Sequence, residues 1–68
     1  MDHAMVGKVG RVTGAIKPGS LGEVMVPIRG GVEAFNAISE SGIEHFAVGA
    51  RVRVVEYSPP RTVIVAAS

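Results

Sequence analysis

Branched apolar residues alternate with polar ones in short segments along the chain. In the segment 23–28, Val24, Val26 and Ile28 lie on one face and the other residues lie on the opposite face. A period of two is typical of a strand with one buried face. No segment repeats apolar residues at the spacings of three and four that an amphipathic helix needs. The pattern therefore predicts an all-β protein.

Glycine and proline separate this pattern into five strands. Pro18-Gly19, Arg29-Gly30-Gly31 and the two prolines of 58–61 have the chemistry of turns, and Pro27 indicates that the second strand lies partly at an edge. Residues 39–49 are predicted to be a loop or a single helical turn that plugs a barrel end. The predicted strands, all paired antiparallel, cover residues 6–16, 23–28, 32–38, 51–57 and 62–66.

The length of the chain permits one small core. The 68 residues include no cysteine, so no disulfide can supplement that core. Closing the sheet on itself compensates for this lack, which favours a five-stranded OB-fold β-barrel over residues 6–66. An open meander or an SH3-like barrel is the competing arrangement. In the predicted barrel Val24, Val54 and Ile64 meet in a shared interior, and residues 1–5 are a disordered tail or the start of an excised piece.

The fourth predicted strand carries the candidate binding residues. Alternation places Arg51, Arg53 and Tyr57 on its outward face. Arginine and tyrosine are frequent anchors of protein interfaces. We therefore predict that this face binds a protein partner, with strand addition at an exposed sheet edge as one means of docking.

Single-stranded nucleic acid is the alternative partner, and the composition does not favour it. Seven Lys and Arg residues against six Asp and Glu residues leave a formal charge of +1. Phe35 and Phe46 are predicted to lie in the core or at a barrel end, which leaves only Tyr57 as a base-stacking platform. Four basic residues can lie near one another on adjacent predicted strands, but acidic residues are interspersed with them, which favours an ordinary solvated face. The basic positions are Lys8, Arg11, Arg51 and Arg53, and the acidic ones are Glu23, Glu33 and Glu56.

The sequence predicts no enzyme. His45 lies near Ser39 and Ser41 along the chain, but no motif supplies the oriented base that a nucleophile needs. His3 and His45 are too few for a metal site, and nothing indicates a cofactor or a small-molecule substrate.

The longest apolar run, 63–67, is too short to span a bilayer. The N-terminus lacks the features of a signal peptide.

Two stretches resemble the C-terminal soluble domain of the NfeD family. They are MVGKVGRVTGAIKPGSLGEVMV at residues 5–26 and AVGARVRVVEYSPPRTVIV at residues 47–65. The family pattern has a Val-Gly-Lys-x-Gly opening, a Pro-Gly turn before a G-x-V strand, and a Gly-x-x-Val-x-Val-Val close. The chain departs from it with SPPRT in place of a glycine-bearing turn and with a longer middle segment.

The resemblance implies a five-stranded OB-fold that is tethered behind transmembrane helices. Such proteins work with stomatin- or flotillin-like membrane scaffolds in membrane protein quality control. The expected function is therefore a non-enzymatic interaction module, which in the full-length protein is held at a membrane through a tether outside this chain. The serine protease domain of longer family members has no counterpart in this sequence.

Overall fold

Five strands and one short 3₁₀ turn make up the structure. It is a computed structural model that describes residues 3–68, with only the backbone of His3. The turn covers His3–Met5, and the strands are β1 (Val9–Gly14), β2 (Gly22–Ile28), β3 (Gly31–Ser39), β4 (Arg51–Ser58) and β5 (Thr62–Ala67). The prediction of an all-β chain with five strands is confirmed. β1 is shorter than the predicted strand over residues 6–16.

The strands form a closed barrel in the order β1-β2-β3-β5-β4, with β4 paired to β1. The predicted five-stranded barrel is therefore confirmed. The prediction that every pair is antiparallel is wrong for β3 and β5, which run parallel with Ile38 opposite Ile64. Parallel neighbours need a long crossover connection. The loop 40–50 and β4 together supply this connection, so that β5 returns beside β3 in the same direction.

The edge position predicted for Pro27 is also observed. β2 pairs with β1 only from Glu23 to Met25. The segment 26–28 pairs with β3 alone, with Pro27 opposite Val32. Because proline has no backbone N–H, it fits where one side of the strand lacks a partner.

Phe46 closes one end of the barrel. A β-bridge joins it to Ile16, with the two backbone N–H···O bonds at 2.9 and 3.0 Å. The Phe46 side chain is only 8% exposed. The predicted plug is thus a loop with one buried apolar side chain, because Ile43 and Val48 of the same segment remain 77% and 65% exposed. Residues 39–49 contain no helical turn.

Met5 lies in the core and precedes β1 at the opposite end of the barrel. Its side chain is 3% exposed. The following residues pair with β4, since Gly7 N–H donates to the Val54 carbonyl at 2.8 Å and Val54 N–H donates to the Lys8 carbonyl at 2.8 Å. The prediction of a disordered tail therefore does not describe residues 3–5. Met1 and Asp2 of that predicted tail lie outside the described residues.

Apolar side chains from all five strands fill the interior. Val24 and Val54 are fully buried there, as predicted, but Ile64 is not. Ile64 is half-buried on the outer face, and Val63 and Val65 point inward in its place. Residues 63–67 are all apolar, so the pattern alone does not define which of them face inward. The buried set is Met5, Val12, Ile16, Val24, Val26, Phe35, Ala37, Phe46, Val52, Val54, Val63 and Val65.

Gly22 allows the loop between β1 and β2 to fold back on the start of β2. A Cβ atom at this position would lie 2.6 Å from the Gly14 carbonyl oxygen and 2.8 Å from the Ala15 carbonyl oxygen, and would overlap the Ile16 side chain. Backbone atoms cannot move aside cheaply in a packed barrel. Only glycine therefore fits here without a shift of the backbone.

Gly22→Ala is expected to lower the free energy of unfolding by about 1–3 kcal/mol, because the added methyl group meets main-chain oxygens. Gly31→Ala is the matched control. A Cβ atom at Gly31 has nothing within 4 Å, so this change is expected to be neutral or slightly stabilising. Urea unfolding followed by circular dichroism measures both. Equal stability of the two variants would contradict the close approach at Gly22.

Val63→Ala is expected to lower the free energy of unfolding by about 2–3 kcal/mol, because two fully buried methyl groups are lost and a cavity remains. Ile64→Ala removes more atoms from a half-buried position and is expected to cost under about 1 kcal/mol. Thermal and urea unfolding of the two variants test which face of β5 lies inside. A larger loss for Ile64→Ala would show that the orientation of β5 is the reverse.

Candidate partner-binding surface

A β-bulge in β4 separates the three predicted contact residues. Val54 lies opposite Val65 and Glu56 lies opposite Ile64, so β4 holds one extra residue, Val55, between them. An extra residue reverses the inside-outside alternation beyond it. Tyr57 therefore packs against the core. The prediction that it shares the outward face of Arg51 and Arg53 is wrong.

Tyr57 takes part in an aromatic contact at the barrel end that Met5 closes. Its ring meets the Phe35 ring edge-on, with centroids 6.1 Å apart and an interplanar angle of 88°. Its hydroxyl donates a hydrogen bond to the Pro60 carbonyl at 3.0 Å. These contacts fix the turn between β4 and β5 against the core, so Tyr57 has a structural role here.

Arg61 covers the same aromatic pair from outside. Its guanidinium carbon lies 5.8 Å from the Phe35 ring centroid. Its Nη1 donates to the Ala34 carbonyl at 3.2 Å and lies 3.2 Å from Glu33 Oε2. An open depression of about 760 Å³ borders these groups and also touches Lys8 and Arg29. Arg61 is thus already paired with a carboxylate of the same chain, that of Glu33.

Arg51 and Arg53 are exposed on the outer surface of β4, as predicted, and β1 adds a third arginine beside them. The pairing of β1 with β4 sets Arg11 directly opposite Arg51, and Val9 opposite Arg53. We call Arg11, Arg51 and Arg53 the arginine face. None of the three makes a salt bridge or a side-chain hydrogen bond within residues 3–68.

The glutamates that the sequence intersperses with these cations do not neutralise them. Glu23 accepts a hydrogen bond from the Thr13 hydroxyl at 2.8 Å, and Glu33 pairs with Arg61. Glu56 lies beyond the bulge, opposite Ile64. Sequence reasoning weighed Arg11 only within the basic group considered for nucleic acid, and not as a contact for a protein partner. Its outward position could be read from alternation, but its place opposite Arg51 depends on barrel closure.

A shallow groove of about 370 Å³ runs beside the arginine face. We call it the arginine groove, because Arg11 and Arg51 both line it. The remaining lining is apolar and comes from the outer surfaces of β1, β2 and β3. The full lining is Val9, Gly10, Arg11, Met25, Pro27, Val32 and Arg51.

The residues weighed for catalysis organise a loop instead. The hydroxyls of Ser39 and Ser41 lie 3.0 Å apart. Ser41 Oγ also accepts the backbone N–H groups of Ile43 at 3.2 Å and Glu44 at 3.1 Å. His45 is exposed in the same loop. Within residues 3–68 no three His, Cys, Asp or Glu side chains are grouped so that they could hold a metal ion.

The described part of the chain also has no helix of the length and hydropathy that a membrane span requires.

Solved structures that share this barrel include the following three. The soluble domain of the NfeD protein YuaF from Bacillus subtilis is 27% identical with a TM-score of 0.73, and the match covers 87% of this chain and 68% of that one. The C-terminal domain of a stomatin operon partner protein from Pyrococcus horikoshii is 29% identical with a TM-score of 0.72, and the match covers 100% of this chain and 94% of that one. The third is the soluble domain of a Corynebacterium glutamicum membrane protein implicated in regulation of membrane protease activity. It is 26% identical with a TM-score of 0.69, and the match covers 91% of this chain and 89% of that one.

A comparison with curated proteins returned no match. The family comparison covers nearly the whole barrel, since the model of the NfeD C-terminal domain matches residues 9–66. This range begins at the first residue of β1 and ends one residue before the end of β5. The expected resemblance is confirmed, and the chain belongs to the NfeD C-terminal domain family.

Proposed function

We propose that this chain is a non-enzymatic protein-interaction module that binds a stomatin- or flotillin-like membrane scaffold and takes part in membrane protein quality control. Family membership supports this proposal. One structural neighbour is named a stomatin operon partner, and another is named for the regulation of membrane protease activity. The second of these relatives is named as a membrane protein, and neither name states a reaction catalysed by the domain itself.

The observation that carries the proposal is the pair of arginines on neighbouring strands. Arg11 and Arg51 are cross-strand partners, and neither has a carboxylate partner among the described residues. Like charges directly opposite each other destabilise an antiparallel pair. Residues that lower the stability of a fold are expected mainly at functional sites, where they serve binding. Arg51 and Arg53 are therefore the contact residues we propose, with Arg11 beside them.

Tyr57 occupies a different part of the proposed surface. The bulge turns it toward Phe35, at the barrel end that Met5 closes. A partner would touch Tyr57 only by extending from the arginine face to that end. Its hydroxyl bond to the Pro60 carbonyl also makes the residue part of the fold, so its substitution would test stability as well as binding.

The arrangement of His45, Ser39 and Ser41 does not favour catalysis, and this supports a binding role. His45 makes no hydrogen bond to an acidic side chain anywhere in residues 3–68, and Ser39 is bonded to Ser41. A nucleophilic mechanism requires a base that a third group orients. We also propose that the full-length protein holds the barrel at a membrane surface through an anchor outside this chain, as the membrane proteins among its relatives suggest.

Single-stranded nucleic acid is the weaker alternative. Binding of bases without sequence preference depends on exposed aromatic platforms beside basic side chains. Phe35 and Phe46 are buried, and Tyr57 packs against the core. The arginine face therefore carries no aromatic side chain on which a base could stack.

Arg53→Glu is expected to weaken binding to the organism's own stomatin-like protein about tenfold, because it replaces an attractive charge by a repulsive one. Isothermal titration with the purified proteins measures the affinity, and circular dichroism verifies the fold. Lys17→Glu is the matched control, since it changes the net charge equally in the loop between β1 and β2.

Failure of the unsubstituted chain to bind any stomatin- or flotillin-like protein would overturn the proposed partner class. Tight, steeply salt-dependent binding of a single-stranded oligonucleotide in a mobility-shift titration would favour the alternative.

Arg51→Glu is expected to raise the free energy of unfolding by about 0.5–1 kcal/mol at low salt, because it converts a like-charge cross-strand pair into an attractive one with Arg11. The gain is expected to shrink at high salt, where exposed charges are screened. Urea unfolding at two salt concentrations measures the change. Destabilisation by this substitution would argue against the observed pairing of β1 with β4.

A further inference from the structure

We propose that the arginine groove binds an acidic segment of a protein partner, with one apolar side chain on the groove floor and carboxylates on Arg11, Arg51 and Arg53. This inference rests on the proposed interaction function and deepens it by assigning the surface and the chemistry of the bound segment. It differs from the sequence-based prediction in two ways. It adds Arg11 and the groove floor, and it excludes Tyr57.

The floor of the groove is apolar and open to solvent. Val9 is 38% exposed and Val32 is 58% exposed. Met25 is half-buried between them on β2, and Pro27 is exposed on the same strand. The strand register brings these side chains together, because Pro27 lies opposite Val32 and Arg11 lies opposite Met25. A single aliphatic side chain could cover this floor and remove its surface from water.

The rim of the groove is positively charged. Arg11 and Arg51 both line it, and Arg53 stands opposite Val9 at its border. The guanidinium group presents paired donors that fit the two oxygens of a carboxylate. Among the described residues no carboxylate of the chain itself meets these donors. Charge complementarity therefore favours a bound segment that carries acidic side chains.

The backbone around the groove argues against docking by strand addition. Under the arginine face β1 pairs with both β2 and β4, so its backbone is not a free edge there. The unpaired side of β2, at 26–28, contains Pro27, which cannot donate a main-chain hydrogen bond. A segment bound here would be held by side chains rather than by a new ladder.

The shape of the groove distinguishes a protein segment from other anions. A concave site of about 370 Å³ accommodates one or two side chains, whereas a bilayer surface is flat on this scale. Nucleic acid would require stacking on aromatic rings, and the three aromatic residues of the chain lie elsewhere. The combination of an apolar floor with an arginine rim matches a peptide with mixed acidic and apolar side chains.

The test uses a capped heptapeptide with a central leucine flanked by glutamates, and the same peptide with glutamine at each glutamate. Amide shifts of the isotope-labelled chain report the binding. The glutamate peptide is expected to shift the amides of Val9, Arg11, Met25, Val32 and Arg51, and to bind at least about tenfold more tightly than the glutamine peptide. Each tenfold corresponds to about 1.4 kcal/mol.

The double variant Arg11→Gln, Arg51→Gln is expected to weaken binding of the glutamate peptide at least about tenfold, with its fold verified by circular dichroism. Val32→Asp, which places a negative charge on the floor of the groove, is expected to weaken binding of this peptide as well. The Lys17→Glu variant is the control for net charge and is expected to bind like the unsubstituted chain.

Three outcomes would overturn the inference. The first is equal binding of the two peptides, and the second is unchanged binding by the double variant. The third is tighter binding of phosphatidylglycerol vesicles or of a single-stranded oligonucleotide than of the glutamate peptide, with the same dependence on Arg11 and Arg51.

The stomatin-like protein separates this inference from the proposed function. If the unsubstituted chain and the double variant bind it equally, the groove assignment fails and the interaction function stands. If the unsubstituted chain binds the glutamate peptide but no stomatin- or flotillin-like protein, the groove assignment stands and the proposed partner class fails.

Discussion

The packing of branched aliphatic side chains inside the closed sheet is the constraint on which the rest of the structure depends. A chain of 68 residues without cysteine has no covalent crosslink to supplement its core. Each strand contributes buried apolar residues, while Phe46 and Met5 close the two ends. The backbones also approach closely where a side chain is missing. At Gly10 a Cβ atom would lie 2.9 Å from the Met25 carbonyl oxygen.

One extra residue in β4 decides how this core relates to the surface. The bulge at Val55 lets Val54 and Tyr57 both face the interior although their spacing is odd. Bulges bend a strand and increase its twist, which suits a small barrel that must close over few strands. The same bulge leaves Arg51 and Arg53 on the outside while it sends Tyr57 to the barrel end. Whether a given position of β4 faces the interior or the solvent thus depends on which side of Val55 it lies.

Closure of the barrel also limits how the proposed partner could dock on the domain. Because β1 pairs with both β2 and β4, the backbone beneath the arginine face is not a free edge for strand addition. The proposed binding therefore relies on outward side chains, which the core does not constrain. The three arginines occupy such positions, and their mutual repulsion is tolerated because their side chains extend into solvent. This separation lets the same barrel carry the proposed binding surface without weakening its interior.

The sequence alone determined the strands, the turns and the inward faces of β2 and of the first half of β4. Alternation with a period of two and glycine or proline at the turns are local signals, so Val24, Val26 and Val52 could be assigned to the core without coordinates. The resemblance to the NfeD family could likewise be read from ordered glycine and valine motifs.

Only the tertiary structure decided the parallel pairing of β3 with β5, the inward face of β5, the position of Tyr57 and the opposition of Arg11 and Arg51. These features depend on register between strands that are distant in sequence and on a bulge that no residue pattern marks. A one-residue shift reverses every side chain beyond it. Local periodicity carries no information about such a shift.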